Sequence, residues 1–168
     1  SVTEQLGDEV SVVNGLTEQI AKLNGQLTGT GNAKDQPNDL LDQRDQLIAQ
    51  ISQHIEVNRV DNRGQDGKPD GSVSLFVGGG QPLVMGTTSH DLKAVPDASA
   101  PERTRLVVDL NGHERELTSR SIGGGSMSGL LQFQNEDLVD ARAQLGLLAT
   151  SLADSVNIPP RLSARSAG

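Results

Sequence analysis

The chain has 168 residues, of which 34% are hydrophobic, and its 14 basic and 22 acidic side chains give a net charge of -8 at pH 7. That length allows one domain or two small ones, while the negative charge and the scarcity of aromatic residues disfavour nucleic acid, anionic membranes and sugars as ligands. The lack of cysteine excludes disulfides, thiolate metal sites and thiol nucleophiles. No apolar run is long enough to span a bilayer, and the first residues carry no standard export signal.

The first predicted element is a helix from Ser1 to Leu27 in which apolar residues recur every seven positions. Its two interleaved series are Leu6, Val13, Ile20 and Leu27, and Val2, Leu16 and Leu23. Glu9 is the one polar member of the second series. A seam of this kind is typical of a helix that packs on partner helices.

A second helix is predicted after a loop at positions 28 to 37. Asn38 is a plausible N-terminal cap, and the helix is expected to end at about Gln53. Leu41, Ile48 and Ile55 continue the seven-residue spacing, with Ile51 between them. These residues predict a second apolar seam.

The middle of the chain is predicted to be a small antiparallel sheet. An extended segment begins near Ile55, and the polar stretch Asp61 to Gly71 is expected to be a hairpin tip or a longer surface loop. The further predicted strands are Ser72 to Val77, Gln81 to Met85, Leu92 to Val95, Arg105 to Leu110 and His113 to Leu117. Asn111-Gly112 predicts a two-residue hairpin turn.

A last helix is predicted after Gly123 to Gly125, with Ser126 or Ser128 as its cap, and it should persist to about Val156 before Pro159-Pro160. Its seam consists of Leu131, Leu138, Leu145 and Leu152, with Ala141 and Leu148 on the alternate positions. The segment 158–168 is predicted to be a non-native or disordered tail, either a vector remnant or a natural linker. The start inside a heptad pattern, without Met, predicts a fragment of a longer protein.

Together these elements predict an α+β fold, in which long antiparallel helices form a heptad-packed bundle and a small antiparallel β-domain is inserted between them. The expected divisions are 1–56 for the N-terminal helices, 57–122 for the β-rich domain, 123–157 for the returning helix and 158–168 for the tail. The seams could equally form an intermolecular coiled coil.

Three groups of residues are candidates for chemical sites. Gly78 to Gly80 and Gly123 to Gly125 lack the spacing of phosphate-binding loops and predict flexible junctions. The oxygen-bearing side chains Asp61, Asn62, Asp66 and Asp70 are a calcium candidate, but Arg63 and Lys68 intrude and the EF-hand spacing is absent. His54, His90 and His113 lie in different elements without zinc-binding spacing. We therefore expect no catalytic, cofactor-binding or metal-binding residue.

Three segments in order carry a family resemblance. They are Asn38 to Ile51 (NDLLDQRDQLIAQI), Gly78 to Val84 (GGGQPLV) and Gly123 to Asn157 (GGGSMSGLLQFQNEDLVDARAQLGLLATSLADSVN), and Ser11 to Leu27 fits the preceding helix. Over about residues 1 to 157 the chain resembles the bacterial flagellar hook-associated protein 1 family, the first of the two proteins that join hook to filament.

The resemblance implies a non-enzymatic structural component of the flagellum, an adaptor at the hook–filament junction. It implies export through the flagellar secretion system to the cell exterior. The implied partners are neighbouring copies in a ring, the hook protein, the second junction protein and a flagellar export chaperone, with no nucleic acid and no membrane. The polymerising termini of the family are missing from this sequence, so this fragment is expected to be monomeric.

Two further hypotheses follow from the residues. A trimeric coiled-coil adhesin or phage fibre segment is the alternative function, in which the heptads make an oligomeric stalk. A small hydrolase is disfavoured, because the sequence lacks a convergent nucleophile, base and oxyanion signal.

The glycine triplets at both edges of the β-region predict hinges. In the junction protein these hinges would let the β-domain accommodate mismatch between hook and filament.

Overall fold

The computed structural model describes residues 1–29, 38–137, 143, 144 and 146. They form an α+β structure with three helices and two antiparallel sheets. The chain divides into two compact units, 1–132 and 133–168. All seven strands and the first two helices belong to the first unit, and a third helix, α3, spans 126–137 across the division.

Helix α1 spans Val2–Thr28, and its Ser1 side chain accepts a hydrogen bond from the Glu4 N–H at the N-terminus. The predicted seam Leu6, Val13, Ile20 and Leu27 is fully buried, which confirms that this series forms the inner face. Val10, Thr17, Ala21 and Asn24 are buried beside it, so the inner face is wider than a coiled-coil seam. That face packs on strands of both sheets as well as on the second helix. The predicted helix partners are therefore only part of what covers α1, because strands of both sheets pack on the same face.

Helix α2 spans Asn38–His54, close to the predicted range, and packs beside α1. Its apolar face differs from the prediction. Leu47, Ile51 and the following Ile55 are buried, whereas Leu41 and Ile48 are only half-buried at the margin of the core. The buried spacing is four residues rather than seven, which is the spacing of an ordinary amphipathic helix on a core.

The first sheet has the order β1-β2-β3-β4, with β1 Asn58–Arg63, β2 Pro69–Val77, β3 Gln81–Met85 and β4 Thr88–Ser89. Neighbouring strands are antiparallel. The register of β1 on β2 shifts between Asp61 and Arg63. Strand pairing extends into the polar stretch predicted as a loop, up to the pair Arg63 and Pro69, so the hairpin tip is shorter than expected.

The second sheet has the order β5-β6-β7, with β5 Leu92–Pro96, β6 Thr104–Leu110 and β7 His113–Leu117. All pairs are antiparallel. The predicted turn is confirmed, because Asn111 and Gly112 have φ values of 55° and 92° and connect the pair Leu110 and His113. Both residues therefore adopt the left-handed backbone that a tight hairpin turn of this type requires.

One hydrophobic cluster unites the elements of the first unit. It contains the inner faces of α1 and α2, buried strand residues such as Leu75, Leu83, Leu106 and Leu117, and Met127 and Leu131 of α3. The burial of Leu131 confirms the first position of the predicted third seam. The rest of that seam, Leu138, Leu145 and Leu152 with Ala141 and Leu148, lies outside the described residues, as does the predicted tail.

Candidate functional site at the helix–sheet junction

Four polar side chains of the helices contact the strands, and we call this set the helix–sheet junction. They are Thr3, Asn14 and Asn24 of α1 and Arg44 of α2. Asn24, which is 1% exposed, makes three of these hydrogen bonds. Its Nδ2 donates to the Val73 carbonyl at 2.8 Å and to the Gly86 carbonyl at 2.7 Å, while its Oδ1 accepts from the Val73 N–H at 3.0 Å. The side-chain amide thus satisfies both backbone groups of a strand residue, as a neighbouring strand would.

Asn14 repeats this arrangement on the second sheet. Its Nδ2 donates to the Leu92 carbonyl at 3.0 Å, and its Oδ1 accepts from the Leu92 N–H at 2.8 Å. Near the start of α1 the hydroxyls of Thr3 and Thr104 lie 2.6 Å apart. The three contacts are spread along α1, which is about 40 Å long at 1.5 Å per residue. The helix is therefore bonded to the sheets along its length.

Arg44 belongs to the junction from the side of α2. This arginine is 8% exposed, and its Nη1 donates to the Gly71 carbonyl at 2.6 Å in β2. The Asp45 carboxylate forms ion pairs with Arg44 and with Arg59 of β1, each at 3.0 Å. Arg59 forms a further ion pair with Asp61 at 3.0 Å. A buried guanidinium bonded to a carbonyl and to a carboxylate is satisfied rather than free for a ligand.

Glu9 lies where three helices meet. One of its carboxylate oxygens accepts from the Ser126 hydroxyl at the start of α3 and lies 2.7 Å from His54 Nδ1 at the end of α2. A nucleophilic triad would have the histidine between serine and carboxylate. Here the carboxylate is in the middle, so the arrangement is not that of a triad, and it joins the end of α2 and the start of α3 to α1. Glu9, the one polar member of the second heptad series, thus has a structural explanation.

The segment Gly123 to Gly125 is packed rather than open, which corrects the prediction of a flexible junction. The Glu56 N–H donates to the Gly124 carbonyl at 3.1 Å, and the Gly124 N–H donates to the Glu56 carboxylate at 3.3 Å. Gly123 and Gly125 have φ values of 70° and 99°. A Cβ on Gly125 would lie 2.6 Å from the His54 carbonyl oxygen. Glycine is needed here for close approach of two backbones.

The triplet Gly78 to Gly80 forms the β2–β3 turn, with φ values of 55°, 83° and 116°. The Gly80 N–H donates to the Val77 carbonyl at 3.2 Å. A Cβ on Gly78 would overlap the Leu117 side chain of the other sheet. The glycines of both triplets are therefore explained by backbone conformation and close packing.

The four calcium candidates all lie in the β1–β2 hairpin, where each makes hydrogen bonds or an ion pair within the protein. Asp61 pairs with Arg59, and Asn62 bonds to the hydroxyls of Ser72 and Ser74. The remaining two carboxylates accept hydrogen bonds from backbone N–H groups two residues further on, Asp66 from Lys68 and Asp70 from Ser72. In the described part of the chain no group of three or more metal-ligating side chains converges.

The three histidines are also distributed as separate groups. His54 contacts Glu9, His90 donates its backbone N–H to the Leu83 carbonyl at 2.8 Å, and His113 lies exposed at the start of β7. None of the described helices is long and apolar enough to cross a membrane.

The sequence analysis missed three residues of the helix–sheet junction, Asn14, Asn24 and Arg44. Arg44 could have been found by its spacing of three and seven residues from Leu47 and Ile51, which puts it on their buried face.

An ion pair on the second sheet carries the clearest electrostatic effect. Lys93 Nζ lies 3.0 Å from Asp109 Oδ2 and 4.0 Å from Glu114 Oε2. The hydrogen bond from Lys93, followed by that from the Gly112 N–H, holds the pKa of the Asp109 carboxyl below its usual value. The same bond to Asp109 raises the pKa of Lys93. This cluster joins β5, β6 and β7 beside the β6–β7 turn.

The fold and its polar contacts define a structural class of segment, in which helices are bonded to antiparallel sheets by buried side chains. Residues 1–162 match the family described as the helical domain of the flagellar hook-associated protein FlgK. The chain therefore belongs to this flagellar hook-associated protein family.

Relatives and a solved structure agree with that assignment. The chain is 39% identical over 156 residues to flagellar hook-associated protein 1 of Salmonella typhimurium, and 38% identical to that of Escherichia coli. Each match covers 90% of this chain and 27% of the relative, so the chain spans about a quarter of their length. The flagellar hook junction protein FlgK from Burkholderia pseudomallei matches with a TM-score of 0.77 and 39% identity, covering 94% of this chain and 28% of that protein.

Proposed function

We propose that the chain is a structural, non-enzymatic segment of a flagellar hook-associated protein 1, and that the whole protein is an adaptor between hook and filament. The observation that carries this proposal is the family match over residues 1–162. The fold similarity to a flagellar hook junction protein supports it independently of the short motifs. The relatives found are hook-associated proteins, which disfavours the adhesin or fibre alternative.

The proposed architecture follows the sequence divisions. Residues 1–56 and 123–157 would form the helical domain, 57–122 the β-rich domain, and 158–168 a tail. Long antiparallel helices would pack through heptad seams in that helical domain. The support is the full burial of the α1 series and the 5% exposure of Leu131 at the first position of the third seam.

The proposed mechanical role differs from the hinge hypothesis. Because Thr3, Asn14 and Asn24 bond α1 to both sheets, the helix and the sheets would transmit load as one body. Stiffness of this kind suits an adaptor between two tubes. The packed contacts of Gly123 and Gly125 oppose bending at that position.

The proposed partners are neighbouring copies in a ring, the hook protein, the second junction protein and a flagellar export chaperone. The proposed location is the extracellular flagellum, reached through the flagellar secretion system. The net charge of -8 disfavours nucleic acid and anionic membranes as additional partners. Ring assembly would depend on parts of the whole protein beyond this segment, so this segment alone would be monomeric.

A segment exchange tests the function. The part of E. coli flagellar hook-associated protein 1 that aligns with this chain would be replaced by it, in cells deleted for their own copy. Filament attachment, seen by electron microscopy, and swimming should be restored. Secretion of the chimera into the medium is the control. A chimera that is secreted and folded but leaves filaments unattached would contradict the proposal.

Sedimentation equilibrium of this chain separates the two classes of function. A monomer near 17.7 kDa is expected if the apolar seams are covered within the chain. A stable trimer over a wide concentration range would make the seams intermolecular and would support the fibre reading.

A further inference from the structure

The chain contains the dipeptide Asn-Gly three times, at Asn14-Gly15, Asn24-Gly25 and Asn111-Gly112. Asparagine followed by glycine is chemically labile, because the glycine nitrogen can attack the asparagine side-chain carbon without steric hindrance from a side chain. The attack is intramolecular, so its rate depends on how freely the backbone reaches the ring-closing geometry. The structure places the same dipeptide in two very different surroundings.

Asn14 and Asn24 are fixed in α1. Both side-chain amides are bonded to strand backbone, Asn14 to Leu92 and Asn24 to Val73 and Gly86. Gly15 and Gly25 lie within the helix, where backbone N–H groups bond to the carbonyl four residues earlier. Ring closure at either dipeptide needs local unfolding of the helix and loss of these bonds.

Asn111-Gly112 is an exposed turn between β6 and β7. Gly112 is free of side-chain crowding, since nothing lies within 4 Å of where its Cβ would be. Its N–H donates to Asp109 Oδ1 at 2.8 Å, and this hydrogen bond is exposed to solvent. The turn can open by fraying of the end of one hairpin, which costs far less than unfolding a buried helix.

We propose that Asn111 is a site of spontaneous deamidation in the folded protein, and that Asp109 slows the reaction. The Gly112 nitrogen loses its proton to solvent base and bonds to Asn111 Cγ. The Cγ–Nδ2 bond breaks, and Nδ2 leaves as ammonia, which gives a cyclic imide. Water then opens the imide to aspartate or to isoaspartate. The net change is asparagine plus water to acid plus ammonia, without oxidation or reduction.

Asp109 slows the first step by charge and by hydrogen bonding. Its carboxylate is ionised at neutral pH, since the ordinary pKa of an aspartate lies far below 7, and Lys93 and the Gly112 N–H lower the pKa of Asp109 further. An anionic acceptor beside the Gly112 nitrogen stabilises the N–H form and opposes formation of the amide anion. The isoaspartate product adds one backbone carbon to the turn, and this breaks the register of the Leu110 and His113 pair.

Peptide mapping by mass spectrometry tests the site. The folded chain would be incubated in mildly alkaline buffer, and the acid content at positions 14, 24 and 111 followed over time. Position 111 should react more than about tenfold faster than the other two, the ratio that follows from at least ~1.4 kcal/mol of extra opening cost in the helix. In denaturant, the three positions should react at similar rates. Equal rates in the folded chain, or an unreactive Asn111, would overturn the proposal.

Asp109→Asn tests the role of the carboxylate, since this variant keeps an oxygen acceptor but loses the charge. Deamidation at Asn111 should become severalfold faster. Glu114→Gln is the matched control, because it removes a carboxylate near Lys93 and leaves the bond between Asp109 and Gly112 intact. An Asp109→Asn rate equal to that of Glu114→Gln and of the parent would overturn the assignment of Asp109.

Discussion

The side-chain amide of Asn24 bonds to both backbone groups of Val73, although the two residues are 49 positions apart in the sequence. These two bonds fix the position of α1 along β2. The bond from Asn24 to Gly86 adds the β3–β4 turn to the same contact. An asparagine within a helix has a low intrinsic propensity for that conformation, and here the loss is offset by three hydrogen bonds, two of them buried and one part-buried.

Replacing Asn24 by alanine should therefore destabilise the protein by about 3 kcal/mol, because the buried backbone N–H and carbonyl of Val73 lose their partner at about 1 to 3 kcal/mol each, and the half-buried Gly86 carbonyl loses one as well. Urea denaturation measures this as a lower midpoint with an unchanged slope. Gln26→Ala, at an exposed position on the same helix, is the control and should remain within about 0.5 kcal/mol of the parent. A loss below about 1 kcal/mol for Asn24→Ala would mean that water satisfies these groups.

Arg44→Met should cost about 2 kcal/mol, since it removes a buried charged donor from the Gly71 carbonyl. The chain offers a matched control. Arg63 makes a bond of similar length, 2.7 Å, to the Gly67 carbonyl, but at an exposed hairpin tip. Arg63→Met should change the free energy of unfolding by less than about 0.5 kcal/mol. Equal effects of the two substitutions would show that burial does not determine the strength of this contact.

The strands were predictable from the sequence because their signals are local. Alternating side chains, glycine triplets and Asn111-Gly112 are each contained in a few residues, and five of the seven strands were predicted close to their observed ranges. The partners of α1 were not predictable. Leu6, Val13, Ile20 and Leu27 have the same spacing whether a helix or a sheet covers them, and the contacts of Asn14 and Asn24 join residues 78 and 49 positions apart. Only the fold brings these groups together.

Gly125→Ala should lower the free energy of unfolding by about 2 kcal/mol or more, because the backbone has φ of 99° and the new Cβ would lie 2.6 Å from the His54 carbonyl oxygen. Gly124→Ala is the control in the same triplet. Nothing lies within 4 Å of a Cβ there, and its φ is not positive. It should remain within about 1 kcal/mol of the parent.

The two glycine variants also separate packing from hinge motion. A hinge would be stiffened by alanine at either position, without a large loss of stability. Thermal or urea denaturation that finds Gly125→Ala as stable as Gly124→Ala would favour the hinge hypothesis and contradict the packed junction.

Lys93→Met should weaken the dependence of stability on pH at both extremes. The folded pKa of Asp109 lies below its ordinary value of 3.8, so the stabilising effect of this carboxylate is present above that value and is lost as pH falls through the folded pKa. The folded pKa of Lys93 lies above 10.5, so its contribution is present below that value and is lost as pH rises through the folded pKa. The Lys93–Asp109 bond is the largest cause of both pKa shifts, and without it the two limbs of the stability curve become shallower. The Gly112 N–H still lowers the pKa of Asp109 in this variant, so the acid limb keeps part of its slope. Urea midpoints measured from acid to alkaline pH test this prediction.

Lys68→Met is the control, because Lys68 is an exposed lysine in the β1–β2 hairpin tip, and this variant should retain the parent profile. Parallel curves for Lys93→Met and the parent would contradict the linkage, and would mean that this exposed pair contributes as little as most surface ion pairs do.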